Sequence, residues 1–105
     1  MNVLFAPEVE EDLYSLVHIL VDKNYLGTYE FAISYVEDLV EDILQNIHTK
    51  PKRKAPDYFS RYGKSLKYIT YQRNVHTTWY IFFETLSDCY LVTYITNNHV
   101  VGQWM

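Results

Sequence analysis

The chain has 105 residues, enough for one domain with one core, which excludes a two-domain enzyme with a separate nucleotide-binding half. Apolar residues make up 49% and charged residues 21%, a globular rather than a disordered balance. The net charge is −4, and the single cysteine, Cys89, excludes an intramolecular disulfide.

Residues 2–6 read as a short strand. Pro7 suits the first turn of a helix, where its missing N–H costs nothing, and Glu8, Glu10, Glu11 and Asp12 carry the charge a helix N-terminus favours. Val9, Leu13, Leu16, Val17 and Leu20 recur at helical spacing, so a helix is expected from Pro7 to about Asn24, broken by Gly27. Thr28 is placed to cap a second helix, whose stripe is Ala32, Val36, Leu39, Val40, Ile43 and Ile47. Glu37, Asp38, Glu41 and Asp42 lie on its other side and read as a solvated face. Pro51 disfavours helix at Lys50 and ends this one near Thr49. The short connection makes the two helices an antiparallel hairpin.

Residues 50–64, with Pro51, Pro56 and Gly63, read as a basic loop. Beyond it the period changes to two. Residues 66–73, 78–84 and 89–96 are rich in Tyr, Ile, Val, Thr and Phe and read as three strands in an antiparallel meander. Turns are expected at Asn74, Val75 and His76, and at Ser87 and Asp88. The order is β-α-α-β-β-β, with Phe82 and Leu91 expected in or near the core. The eleven tyrosines suit a sheet with one face packed and the other partly exposed.

The N-terminus has no basic region and meets acids by Glu8, so it does not read as a signal peptide. The apolar stretch at residues 13–21 is too short to span a bilayer. A soluble cytoplasmic protein with no membrane association is expected.

Charge is segregated along the chain. Residues 1–49 hold ten acids and one base, a net −9, while residues 50–76 hold eight bases and one acid, a net +7. The basic block is either a patch for phosphate or an acidic protein, or a solvated loop that offsets the acidic helices. Its cations include Lys52, Arg53, Lys54, Arg61, Lys64, Lys67 and Arg73, interleaved with Tyr58, Phe59, Tyr62, Tyr68 and Tyr71. Cations beside stacking aromatics are what single-stranded RNA binding needs, although strand tyrosines also serve simply as packing residues. The glycines are isolated, so no phosphate-binding glycine loop is present, and the four histidines are scattered, so neither a metal nor another cofactor is expected. His99, after the last strand, is a candidate general acid or a partner-contacting surface residue.

Taken together, the strand ending at Phe5, Ala6 and Pro7, the hairpin with Glu11, Asp12 and Leu13 early and Leu39, Ile43 and Ile47 late, the run Thr78–Phe83, then Asp88, the run Tyr90–Ile95 and trailing His99 form a pattern. Over about residues 2–100 this pattern resembles the RelE/ParE superfamily, the toxin halves of bacterial type II toxin–antitoxin pairs, also called plasmid stabilisation proteins. The resemblance implies one α+β domain over residues 1–105, with a four-stranded antiparallel sheet and the helical hairpin packed on one face. It also implies a cognate antitoxin as partner. The long hairpin looks more like the ParE branch, which poisons DNA gyrase by protein–protein contact. The alternative is a RelE-like, metal-independent endoribonuclease that cuts mRNA on the ribosome. In that case His99 is the candidate acid and Lys67 and Arg73 are the candidate cations, while Lys52, Arg53, Lys54, Arg61, Lys64 and Tyr68 would contact RNA or partner. The ribonuclease branch typically places Arg on the middle strands and after the last one. Here Thr78 and Trp79 begin the middle strand and Thr96, Asn97 and Asn98 precede His99, which favours the non-nuclease reading.

Overall fold

The computed structural model describes residues 1–23 and 27–105 as an α+β fold, a five-stranded mixed sheet with helices packed on it. The strands are β1 (Asn2–Phe5), β2 (Arg53–Lys54), β3 (Lys67–Asn74), β4 (Thr77–Thr85) and β5 (Cys89–Asn97), in the spatial order β1-β5-β4-β3-β2. The helices are α1 (Pro7–Asp22), α2 (Tyr29–Asn46) and a single turn, α3 (Asn98–Val101). Short 3₁₀ segments cover Asp57–Tyr62 and Gly102–Trp104.

Local chemistry accounts for the helix starts. Pro7 and Glu8 open α1, and the Thr28 hydroxyl accepts the Phe31 N–H at 3.3 Å to cap α2. The expected extension of the first helix to Asn24 falls outside the described residues. α2 ends at Asn46, short of Thr49, and the chain leaves it through a turn in which the Thr49 and Lys50 N–H groups both bond to the Asn46 carbonyl. The apolar stripes meet the sheet as their spacing predicts. Val9, Leu39, Ile43 and Ile47 bury themselves against Ile69, Trp79, Ile81, Phe83 and Val92.

The all-antiparallel, four-stranded expectation is corrected in two respects. β1 pairs with β5 in parallel, from Asn2 opposite Cys89 to Phe5 opposite Val92. A parallel neighbour needs a long crossover, and the helical hairpin begins that crossover; period-two alternation carries no record of strand direction. The fifth strand, β2, lies inside the segment read as a loop. Arg53 and Lys54 pair with Tyr68 and Lys67, and Ala55 N–H bonds the Leu66 carbonyl at 3.0 Å. Three charged residues, Lys52, Arg53 and Lys54, between Pro51 and Pro56 leave no hydrophobic period to read. The meander itself forms as expected, with ends within about a residue of those read from the period.

The second face of the sheet is covered in part, in keeping with the partial exposure that the tyrosine content suggests. Phe59, in the first 3₁₀ segment, and Val101, in α3, close over Leu66 and Phe82, flanked by Tyr62, Tyr68, Tyr80 and Tyr94. Consecutive residues of β4 therefore serve opposite cores, Phe82 on this face and Ile81 and Phe83 on the helical face. Phe82 is fully buried and Leu91 half-buried. At Gly63 the chain passes so close to Glu84 that an added Cβ would lie 2.5 Å from its Oε1 and 2.8 Å from its Cγ.

Phe59 tests the second core. Phe59→Ala should cost about 3–5 kcal/mol in chemical denaturation, like a core Phe82→Ala. A cost within about 0.5 kcal/mol, the range of an exposed loop position, would show that this face is not packed.

Candidate functional site

The three groups considered for catalysis do not share a site. Lys67 opens β3 and Arg73 lies six residues further on, roughly 20 Å along an extended strand. A bulge separates Gln72, paired with Thr78, from Asn74, paired with Thr77, and leaves Arg73 as the extra residue. Its guanidinium turns to α2, 3.4 Å from the Asp38 carboxylate and 4.3 Å from the Tyr35 ring centre, and donates to the Tyr71 hydroxyl at 3.0 Å. Partial burial opposes its charge, but the hydrogen bonds to Tyr71 and Asp38 prevail and hold its pKa above the usual arginine value. Arg73 is thus a strut between sheet and helix.

His99 is exposed at the start of α3, its Nε2 3.0 Å from the Thr77 hydroxyl. The residues before it clamp the β3–β4 turn. Asn98 Oδ1 accepts the Thr78 N–H at 2.8 Å, Asn98 Nδ2 donates to the His76 carbonyl at 3.0 Å, and Asn97 Oδ1 accepts the His99 N–H. Asn74 Oδ1 accepts the His76 N–H, an Asx turn that favours this geometry. Among the described residues no carboxylate lies within salt-bridge distance of His99.

The candidate binding cations divide among four places. Arg61 forms the centre of an aromatic stack. Its guanidinium lies 5.1 Å from the Tyr58 ring centre and 4.8 Å from that of Tyr62; Trp104 stacks on Tyr58 at 4.1 Å and Tyr94 on Tyr62 at 4.0 Å. Hydrogen bonding by Tyr62 and Tyr58 raises the Arg61 pKa. Burial raises that of the Tyr94 phenol, against a hydrogen bond from Thr96. Arg53 lines an open cleft of about 600 Å³ on the second face, with Tyr68, Thr70, Thr78, Tyr80 and Met105. Lys54, Lys64 and Lys67 line another, of about 400 Å³, at the β2 edge. Lys52 belongs to neither cleft; its Nζ bonds the Lys50 carbonyl at 3.2 Å and lies 5.5 Å from the Tyr90 ring centre.

Lys50, passed over as a site residue in the sequence, is tied down from two sides, by Asp42 at 2.6 Å and the Thr70 carbonyl at 2.6 Å. Tyr80 and Thr78 were also not singled out, although their even numbering on β4 matches that of Phe82 and signals the second face. The Trp104–Tyr58 contact had no local signal, because it joins segments 46 residues apart. Among the described residues, no three His, Cys, Asp or Glu side chains gather as a metal site would require, and no helix is long and apolar enough to cross a membrane. Compared with known proteins, the chain matches no family model, no curated protein and no solved structure.

The turn clamp and the half-buried Tyr94 phenol each make a measurable difference. Asn98→Ala should cost about 1–2 kcal/mol and speed amide exchange at Thr78, whereas His99→Ala should stay within about 0.5 kcal/mol. Equal effects of the two would show that Asn98 is no clamp. For Tyr94, the folded state keeps its proton after the unfolded chain's tyrosines ionise near pH 10, so its contribution to stability is present below that pH and declines above it. Tyr94→Phe should therefore flatten the alkaline loss of stability followed by denaturation between pH 9 and 11; an unchanged slope would remove Tyr94 from that account.

Proposed function

We propose that the chain is the toxin component of a bacterial type II toxin–antitoxin pair, of the ParE kind, acting in the cytoplasm. On this reading it inhibits a cellular target, DNA gyrase, by protein–protein contact and is neutralised by a cognate antitoxin. The observation that carries the choice of mechanism is the dispersal of the would-be catalysts. Arg73 is engaged by Asp38 and Tyr35, His99 sits at the turn with Thr77, and Lys67 lies at the far end of β3. Cleavage of RNA by its own 2′-hydroxyl needs a base, an acid and cations converging on one phosphate. The β-α-α-β-β-β order of the resemblance, with β2 added at the sheet edge, supports the superfamily part of the reading.

One observation favours the RelE-like reading as the alternative. Arg53 shares its cleft with Tyr68 and Tyr80, a cation beside two aromatic rings, which suits a single-stranded RNA on the ribosome. Among the described residues that line it there is no Asp, Glu or His to form an acid–base pair, so it supports binding more readily than cleavage.

Controlled expression separates the two. The proposal expects growth arrest with DNA-damage signalling, inhibition of gyrase supercoiling by the purified chain, and retention of both in His99→Ala. Ribosome-dependent transcript cleavage by the wild type, reduced about 10²–10⁴-fold in His99→Ala, would replace this mechanism with the nuclease one.

A further inference from the structure

Lys54 and Lys67 face each other directly across the β2–β3 ladder. Directly opposed side chains share one face of a sheet, and like charges there repel. Lys64, in the turn that leads into β3, joins them on the wall of the same cleft. Among the described residues, none of the three lysines has a carboxylate within salt-bridge distance or a side-chain hydrogen bond. The contrast with Lys50, Lys52 and Arg73 is instructive, since those cations are engaged by carboxylates, carbonyls or rings. Among the described residues that line the cleft Asp57 is the one acid, so the lining sums to +2, with the Glu84 carboxylate lying beside it against Gly63, and the Ser60 and Ser65 hydroxyls supply neutral donors.

We propose that this cleft, lined by Lys54, Lys64 and Lys67 with Ser60 and Ser65, is a binding site for a phosphomonoester dianion. Three ammonium groups on flexible stems close on a compact anion as point charges, and a terminal phosphate offers three acceptor oxygens and a charge near −2. A phosphodiester carries only one charge and offers two terminal oxygens to three ammonium groups. An acidic peptide distributes its carboxylates along a line, whereas these lysines surround a single concave space of about 400 Å³. The bound dianion would relieve the repulsion between Lys54 and Lys67. The proposal goes beyond the toxin reading and does not depend on it.

The test is calorimetric and NMR titration of the full chain with inorganic phosphate and adenosine 5′-monophosphate, compared with adenosine, dimethyl phosphate and a glutamate-rich peptide. Saturable binding of the two dianions is expected, with amide shifts confined to residues 54–67. Tighter binding of the nucleotide than of phosphate assigns an organic monoester; equal binding assigns free phosphate. Lys54→Gln, Lys64→Gln and Lys67→Gln should each weaken binding roughly threefold to tenfold, while Lys23→Gln, an equal change in net charge on α1's C-terminal side, should not. Phosphate should raise the melting temperature of the wild type, and this gain should shrink in the Lys54→Gln, Lys67→Gln double variant. Without phosphate, that double variant should melt no lower than the wild type, which separates lost binding from lost folding. Absence of saturable phosphate binding, unchanged affinity in the lysine variants, or tighter binding of dimethyl phosphate or the glutamate peptide would overturn the assignment.

Discussion

Burial of β4 on both faces is the constraint on which the rest of the molecule depends. This strand occupies the centre of the sheet, and its residues Ile81, Phe82 and Phe83 are all fully buried. Successive side chains of a strand point to opposite sides, so the run demands a cover on each. The helical hairpin supplies one through Leu39, Ile43 and Ile47, and the 3₁₀ segment with α3 supplies the other through Phe59 and Val101. Phe59 and Phe82 stack with ring centres 4.4 Å apart, which ties the backbone of the basic loop to the sheet.

Two-sided burial also changes how register is specified. In a sheet with one wet face, a one-residue slip exposes the whole apolar set and is strongly penalised. β4 is apolar on both sides, so polarity alone discriminates less between registers. Turn chemistry and bulges add the missing specification. The Asx turn at Asn74 and the two amide bonds from Asn98 hold the β3–β4 hairpin, and a second bulge lies where Phe82 pairs with Tyr94 but Phe83 with Val92, leaving Thr93 over. The segment around His99 therefore has a structural task in addition to any contact it makes.

The segregated charges meet at only two ion pairs among the described residues, Lys50 with Asp42 and Arg73 with Asp38. Both join the second helix to the basic segment. Partly exposed pairs of this kind contribute of order 1 kcal/mol or less, so their main effect is to orient α2 over β3. They also use up the basic residues nearest the helix. The lysines at the β2 edge lie beyond the reach of those acids and keep their charge available to a ligand.

The sequence alone determined the features that are local in the chain. The starts of both helices followed from Pro7 and Thr28, their buried stripes from 3.6-residue spacing, and three strands from period two, because each of these signals lies within the element it specifies. Tertiary structure decided what depends on residues far apart. The parallel pairing of β1 with β5 joins the two ends of the domain, and strand direction leaves no mark on alternation. The two-residue β2 is specified by its partner β3 rather than by any pattern of its own. The site followed the same division: the basic residues were plain in the chain, but their separation into a helix strut at Arg73, an aromatic stack at Arg61 and a cleft of three unpaired lysines arose only when the bulge, the 3₁₀ segment and the ladder gave each side chain its neighbours.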